Sequence, residues 1–419
     1  MDPAAVMLVL AGLAYRGFYF LRILRVLEDP HERAVRRAVA AGLRAVAPVI
    51  GEWELVWGPA TKDRDDFDQS AMYVARSKAN PQRLAVAIRG TDPISITDWT
   101  RGDLDVAQPS PWPFGAAGAT VSGSTASGLN TLLELAEPPP SRLGELVEEA
   151  IFRVSGFVPD AFAAIVRRIP RDPALVLDLI TTRLRKDFEQ WRRRIEDEGA
   201  QVVAEAVVLL LKELSERRIQ VMDWPSPAPT GSGATLLDFL MRASKDGALE
   251  VLVTGHSKGG ALAPALALFL AETRSRWDLN GNASIGCYAF AGPTPGNAAF
   301  GQRVNAQLGR EKLRVINTSD IVTHAWDQAG LKSIALLYAG SLAWMAPILD
   351  AVSREVTQTH YAPVGLPTCV FDGLATAPIP ADDAALEIPY QHLESYLAYF
   401  GLLDCKPRID TLMLLLGEG

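Results

Sequence analysis

In Val251-Leu-Val-Thr-Gly-His-Ser-Lys-Gly-Gly260 a serine stands between glycines at the end of an apolar run, and an alanine- and leucine-rich stretch follows at once. A serine hydroxyl is a weak nucleophile near neutral pH. Acyl transfer therefore asks for a general base within hydrogen-bond reach, a third group that orients the base, and N–H donors where the tetrahedral oxyanion forms. The Gly-X-Ser-X-Gly spacing meets part of that demand. Gly255 and Gly259 keep bulk away where strand and helix crowd together, and the turn lifts Ser257 Oγ clear of the sheet. The N–H of Lys258, in the first turn of the helix, points toward the developing charge.

An acid and a base must come from elsewhere in the chain. Asp320, in VINTSDIVTHAW (315–326), comes just after an apolar run that reads as a strand, whereas its neighbour Asp327 follows none. Five histidines are present. His256 adjoins the serine and His31 lies far upstream, which leaves His324, His360 and His392 as candidate bases.

These residues need a scaffold that brings strand ends together. Short apolar runs ended by glycine or a polar residue occur at 83–91, 250–255, 283–291 and 313–317, as expected for strands buried on both faces of a parallel sheet. Helical spacing lies between them at 236–244, 261–272 and 300–308. Strands alternating with helices give an α/β class with right-handed crossovers.

The stretch 136–232 breaks this rhythm. It opens on EPPPS (137–141), closes on WPSPAPTGSG (224–233), and carries two amphipathic patterns over about 170–220. Proline-rich borders around a helical block read as hinges. The expected organisation is an N-terminal part of the core at 1–135, a helical insertion at 136–232 that reads as a cap or lid, a dimer interface or an ornament on the sheet's edge, and a C-terminal part of the core at 233–419.

Composition sets outer bounds. With 419 residues, 48% hydrophobic and 21% charged, the chain is globular in type. A net charge of −8 argues against nucleic acid as a partner, since the Arg-rich RLRKDFEQWRRR (183–194) has acidic residues on both sides and reads as helical surface. Three scattered cysteines allow at most one bridge, and no Cys/His spacing suggests zinc. The N-terminal apolar run, about a dozen residues before Arg16, is shorter than the roughly 18–20 of a spanning helix and reads as a domain helix. No cleavable signal is visible, so cytoplasm stands as a default location. The apolar 333–349 reads as a lid or buried helix.

Five blocks in order resemble the class 3 lipase family: AVAIRGTDPISITDWTRGDL (85–104), TVSGSTASGLNTLLEL (120–135), VLVTGHSKGGALA (251–263), YAFAGPTPGNAAF (288–300) and RVINTSDIVTHAW (314–326). The resemblance implies an α/β-hydrolase fold, a mostly parallel sheet flanked by helices. It also implies Thr91, after Arg-Gly, as an oxyanion-loop donor beside Lys258, with Trp99 and Asp103 as pins of that loop. It makes Asp320 the triad acid and His392, in PYQHLESYLAYF (389–400), the base, while THYAPVG around His360 resembles a structural segment of the family. The order Ser, Asp, His is the one this fold uses.

Two departures stand out. Ser122 and Ser124 replace the His and aromatic of a family His-x-Gly-Phe pattern, and Lys258 stands where leucine or another neutral residue is usual. Only the backbone N–H of Lys258 is required, so its side chain reads as solvated or internally paired, with a substrate carboxylate or phosphate as the other reading.

The function implied is a serine carboxylic-ester hydrolase acting on acylglycerols or simpler esters, needing no metal or organic cofactor, with an ester or lipid substrate and transient contact with a lipid interface. A phospholipase A-type hydrolase is the alternative within the same chemistry. A non-catalytic lipid-binding protein is the alternative outside it.

Overall fold

The computed structural model describes residues 1–15, 31–64, 68–90, 108–114, 118–137, 233–373 and 384–406. Its strands are β1 (Trp53–Arg64), β2 (Asp68–Ser77), β3 (Arg83–Ile88), β4 (Pro109–Pro111), β5 (Thr120–Ser122), β6 (Glu250–His256), β7 (Ser284–Phe290), β8 (Gly296–Asn297), β9 (Lys312–Asn317), β10 (Tyr361–Ala362) and β11 (Thr368–Phe371). Seven form one sheet in the order β1-β2-β3-β6-β7-β9-β11. From β3 onward neighbours run parallel, while β1, β2 and β3 pair antiparallel. A small sheet, β10-β8-β5-β4, stands apart.

Side chains alternate across a strand, so each parallel strand feeds two cores. Leu84, Val86, Ile88, Val251 and Val253 enter one apolar cluster, and Ala85, Ala87, Leu252, Tyr288 and Phe290 enter the other. Arg83 and Glu250 face each other at the start of β3 and β6 in a bidentate ion pair of 2.5 and 3.2 Å, which marks the register at the edge away from the site.

Helices α1 (Pro3–Leu13) and α2 (His31–Ile50) contribute to the second cluster. Met7, Leu8, Leu10 and Leu13 of α1 are all buried, each worth roughly 1.5–3 kcal/mol on burial. Its carbonyls also accept from the sheet, Met7 O from Thr254 Oγ1 at 3.1 Å and Leu10 O from the Tyr73 hydroxyl at 2.6 Å. The N-terminal apolar run is thus a helix seated on the sheet, and among the described residues no helix is long and apolar enough to cross a membrane. On the opposite face lie α3 (Gly123–Glu134), α4 (Leu236–Ala243), α5 (Lys258–Glu272) and α6 (Ala298–Gln307), whose Leu129, Leu240, Leu266 and Phe300 join the first cluster.

A third cluster is built after β9, from the 3-10 turn Ile321–His324, α7 (Gln328–Ile334) and α8 (Ala346–Glu355). The apolar 333–349 is not one helix. Tyr338 at φ 53° and Gly340 at φ 82° break it into short turns, and Tyr338 and Leu342 bury against Ile321 and Trp326. The chain ends its described part with α9 (Ala384–Pro389), a π-helical turn Tyr390–Glu394 and α10 (Ser395–Tyr399).

Almost all of the insertion expected at 136–232 lies outside the described residues. Its flanks are joined: Ala136 and Thr235 form an antiparallel bridge, and Glu137 N donates to Ala234 O at 2.9 Å. The three cysteines are unbridged.

Candidate active site

Gly255 ends β6 against the helix that follows. A Cβ there would strike the carbonyl group of Gly259, and one on Gly259 would come within 2.5 Å of the Ile88 carbonyl oxygen. The strand and helix can approach this closely only because both positions are glycine. Between them Ser257 takes φ 61° and ψ −128°, a conformation that costs a residue with a Cβ of the order of 1–3 kcal/mol. Backbone bonds hold it there: Ser257 N donates to Phe290 O at 3.0 Å, and Gly260 N to Ser257 O at 2.8 Å.

Two further chain segments close on this turn. Gly90, just after β3, lies so near that an added Cβ would come within 2.9 Å of Ser257 Cβ. The chain therefore leaves for position 91 from beside the serine. Thr91 itself, with Trp99 and Asp103, lies outside the described residues. Lys258 opens α5, and the N–H groups of a helix's first turn have no partner in the helical ladder.

Asp320, fully buried, follows β9 by three residues and caps the 3-10 turn through Val322 N at 3.0 Å. Both of its carboxylate oxygens lie 3.0 Å from His392 Nδ1. A carboxylate only accepts, so Nδ1 carries the proton and Nε2 of His392 is left as a base. The Tyr396 hydroxyl donates to Asp320 Oδ2 at 2.9 Å and accepts from Asn317 N at 3.1 Å. Burial, and then the Asp320 charge beside it, push the Tyr396 hydroxyl well above its ordinary pKa, so it remains a donor.

His392 sits in the π-helical turn, a deviation often found at functional sites. Its carbonyl oxygen lies 2.7 Å from His256 Nε2, and the two rings are 4.7 Å apart. The carbonyl can only accept, so His256 Nε2 bears the proton and Nδ1 accepts from the Tyr15 hydroxyl at 3.1 Å. Burial first, then the neighbouring His392, lower the His256 pKa from 6.5 to about 3. His256 is thus a neutral strut between the serine turn and the backbone of His392. No hydrogen bond joins Ser257 Oγ to His392 among the described residues, a looseness common in unliganded sites.

The other candidate bases stand apart from the Asp320 carboxylate. His324 places Nε2 2.8 Å from Thr318 O and Nδ1 2.7 Å from Ser333 Oγ, and His360 is exposed at φ 52°. Sequence reasoning missed Tyr15, Asn317, Gln391 and Tyr396. Asn317 Nδ2 alone binds Gln391 O, Gln391 Oε1 and Ser395 Oγ at 2.7–3.0 Å, tying the end of the strand that leads to Asp320 to the turn that carries His392.

Residues 230–329, which hold the serine turn and Asp320, match the family model described as Lipase (class 3). The similarity to the class 3 lipase family is carried by this stretch of the chain. A segment of the chain is 43% identical over 86 residues to Phospholipase A1 EG1, chloroplastic/mitochondrial, of Oryza sativa subsp. indica, covering 20% of this chain and 19% of that one. The chain is also 38% identical over 78 residues to Phospholipase A1-Igamma2, chloroplastic, of Arabidopsis thaliana, covering 18% of this chain and 15% of that one. The matches thus span less than a fifth of those relatives' length. Over nearly the whole chain the fold is that of the M37 lipase crystal structure, with a TM-score of 0.65 and 24% identity, covering 99% of this chain and 98% of that one. The α/β-hydrolase architecture expected from the motif blocks is the one found.

Proposed function

We propose that the protein is a serine carboxylic-ester hydrolase with Ser257 as nucleophile, His392 as general base and Asp320 as the group that orients it. The observation that carries this reading is the Asp320–His392 pair, with both carboxylate oxygens 3.0 Å from Nδ1, set beside a serine in a strained strand-to-helix turn. His392 Nε2 takes the Ser257 proton as Oγ attacks an ester carbonyl. Asp320 stabilises the imidazolium, and the backbone N–H groups of Lys258 and Thr91 hold the oxyanion. The alcohol leaves with the proton from His392, and water then hydrolyses the acyl-enzyme by the same route in reverse.

For the acyl donor, the relatives favour a glycerophospholipid over an acylglycerol. The segments that match are those of proteins called phospholipase A1, and the chemistry at the ester is identical for both substrates. Hydrolysis of p-nitrophenyl esters from short to long acyl chains, wild type beside Ser257→Ala, tests the reaction class. The wild type is expected to be active and the variant reduced by at least about a thousandfold. Equal rates would remove Ser257 from the mechanism.

A further inference from the structure

Beside the serine turn is a small recess with Lys258, Ser122, Ser124, Thr125 and Thr294 as its polar lining, and Ala261, Leu262, Pro293 and Trp326 as its apolar part. Its enclosed volume is about 20 Å³, room for one oxygen-sized group, and it opens outward. No acidic residue lines it among the described residues. The start of α3, a twelve-residue helix, contributes its partial positive charge here, with Ser122 as cap accepting from Thr125 N at 3.1 Å. The hydroxyls of Ser122, Ser124 and Thr125 form a chain, Ser122 Oγ donating to Thr125 Oγ1 at 2.8 Å and lying 3.2 Å from Ser124 Oγ.

A second, independent observation points to a ligand. Thr294 is 1% exposed, and its Oγ1 has no hydrogen-bond partner among the described residues. A buried hydroxyl left this way is costly, and buried polar groups are otherwise nearly always paired. An oxygen seated in the recess would satisfy it.

Resting on the hydrolase reading above, we propose that this recess is the subsite for the phosphodiester of a glycerophospholipid whose acyl ester is cleaved at Ser257. Lys258 directly follows the nucleophile, so its ammonium serves a charged group a few bonds from the scissile carbonyl. One non-bridging phosphate oxygen enters the recess, and the rest of the group stays at its mouth.

The test compares wild type, Lys258→Met, Lys258→Arg and Thr294→Val on three substrates: a diacyl phosphatidylglycerol and the diacylglycerol of the same chains in mixed micelles, and p-nitrophenyl butyrate. The readout is the ratio of kcat/KM on phospholipid to that on each uncharged ester, so a general loss at the oxyanion hole cancels. The ratio should fall roughly 10-fold or more in Lys258→Met, the scale of a lost charge-assisted hydrogen bond, fall less in Thr294→Val, and recover in Lys258→Arg. An unchanged ratio in Lys258→Met overturns the proposal while leaving the hydrolase reading intact. Inorganic phosphate that inhibits butyrate hydrolysis in wild type but not in Lys258→Met, with the lipid ratio unaltered, assigns the seat to free phosphate and overturns the lipid assignment. A wild type that cleaves none of the three and resists a phosphonate probe refutes the hydrolase reading, and the subsite falls with it.

Discussion

Acid should destabilise this protein through a ring that stays uncharged in the fold. His256 is 4% exposed, and its pKa is lowered from 6.5 to about 3 because burial, and then His392, oppose a positive charge. The unfolded chain therefore binds a proton that the native state refuses between about pH 6.5 and pH 3. The contribution is full above 6.5 and is lost as pH falls, by about 1.4 kcal/mol per unit. From pH 7 to pH 5 the loss is about 2 kcal/mol, and the whole contribution is of order 5 kcal/mol. His256→Gln keeps an amide donor near the Nε2 position but does not titrate. Urea unfolding of both proteins at pH 7 and pH 5 measures the difference, since carboxylates and the other histidines contribute equally and cancel. Wild type should lose about 2 kcal/mol more than the variant over this interval. Parallel losses would mean that His256 accepts a proton in the fold, and the strut between Ser257 and the His392 backbone would then be wrong.

Three more outcomes follow from the site. Asp320→Asn keeps the size of the side chain but reverses the demand on His392 Nδ1, so kcat on a p-nitrophenyl ester should drop by about 10⁴-fold with the fold intact by circular dichroism. Tyr396→Phe removes the donor to Asp320 and leaves Asn317 N–H without its acceptor, which should lower unfolding free energy by about 1–3 kcal/mol and kcat by roughly 10-fold. Gly255→Ala drives a methyl into the backbone of Gly259, so the variant should be destabilised by about 3 kcal/mol or be insoluble, as read by thermal melting.

The parallel strands β3, β6 and β7 were legible because burial on both faces leaves an apolar run that ends abruptly, while β9, with Lys312 and Arg314 in it, shows only a short one. Strand β11 was not, because its residues alternate between exposed and half-buried at the sheet edge and no long apolar run marks it. The strands of the small sheet, two or three residues each, are too short to show any period. At the site, Ser257 stood out because its glycines are a steric demand of the turn, and Asp320 because it follows a strand. His392 could be chosen over His324 and His360 only by family resemblance, since nothing local separates a histidine that meets a carboxylate from one that meets a carbonyl. Tyr15 and Tyr396 left no sequence signal at all. Their partners are 241 and 76 residues away, and only folding brings them together.

The central claim is that Ser257 is an activated nucleophile, and a fluorophosphonate answers it without any assumption about substrate. Wild type and Ser257→Ala are treated with the probe, digested and read by mass spectrometry, with His392→Ala as a test of activation. One adduct per chain on the peptide containing Ser257, absent in Ser257→Ala and slowed by orders of magnitude in His392→Ala, is the predicted result. No adduct on folded wild type, or an adduct on another residue that persists in Ser257→Ala, would contradict the account.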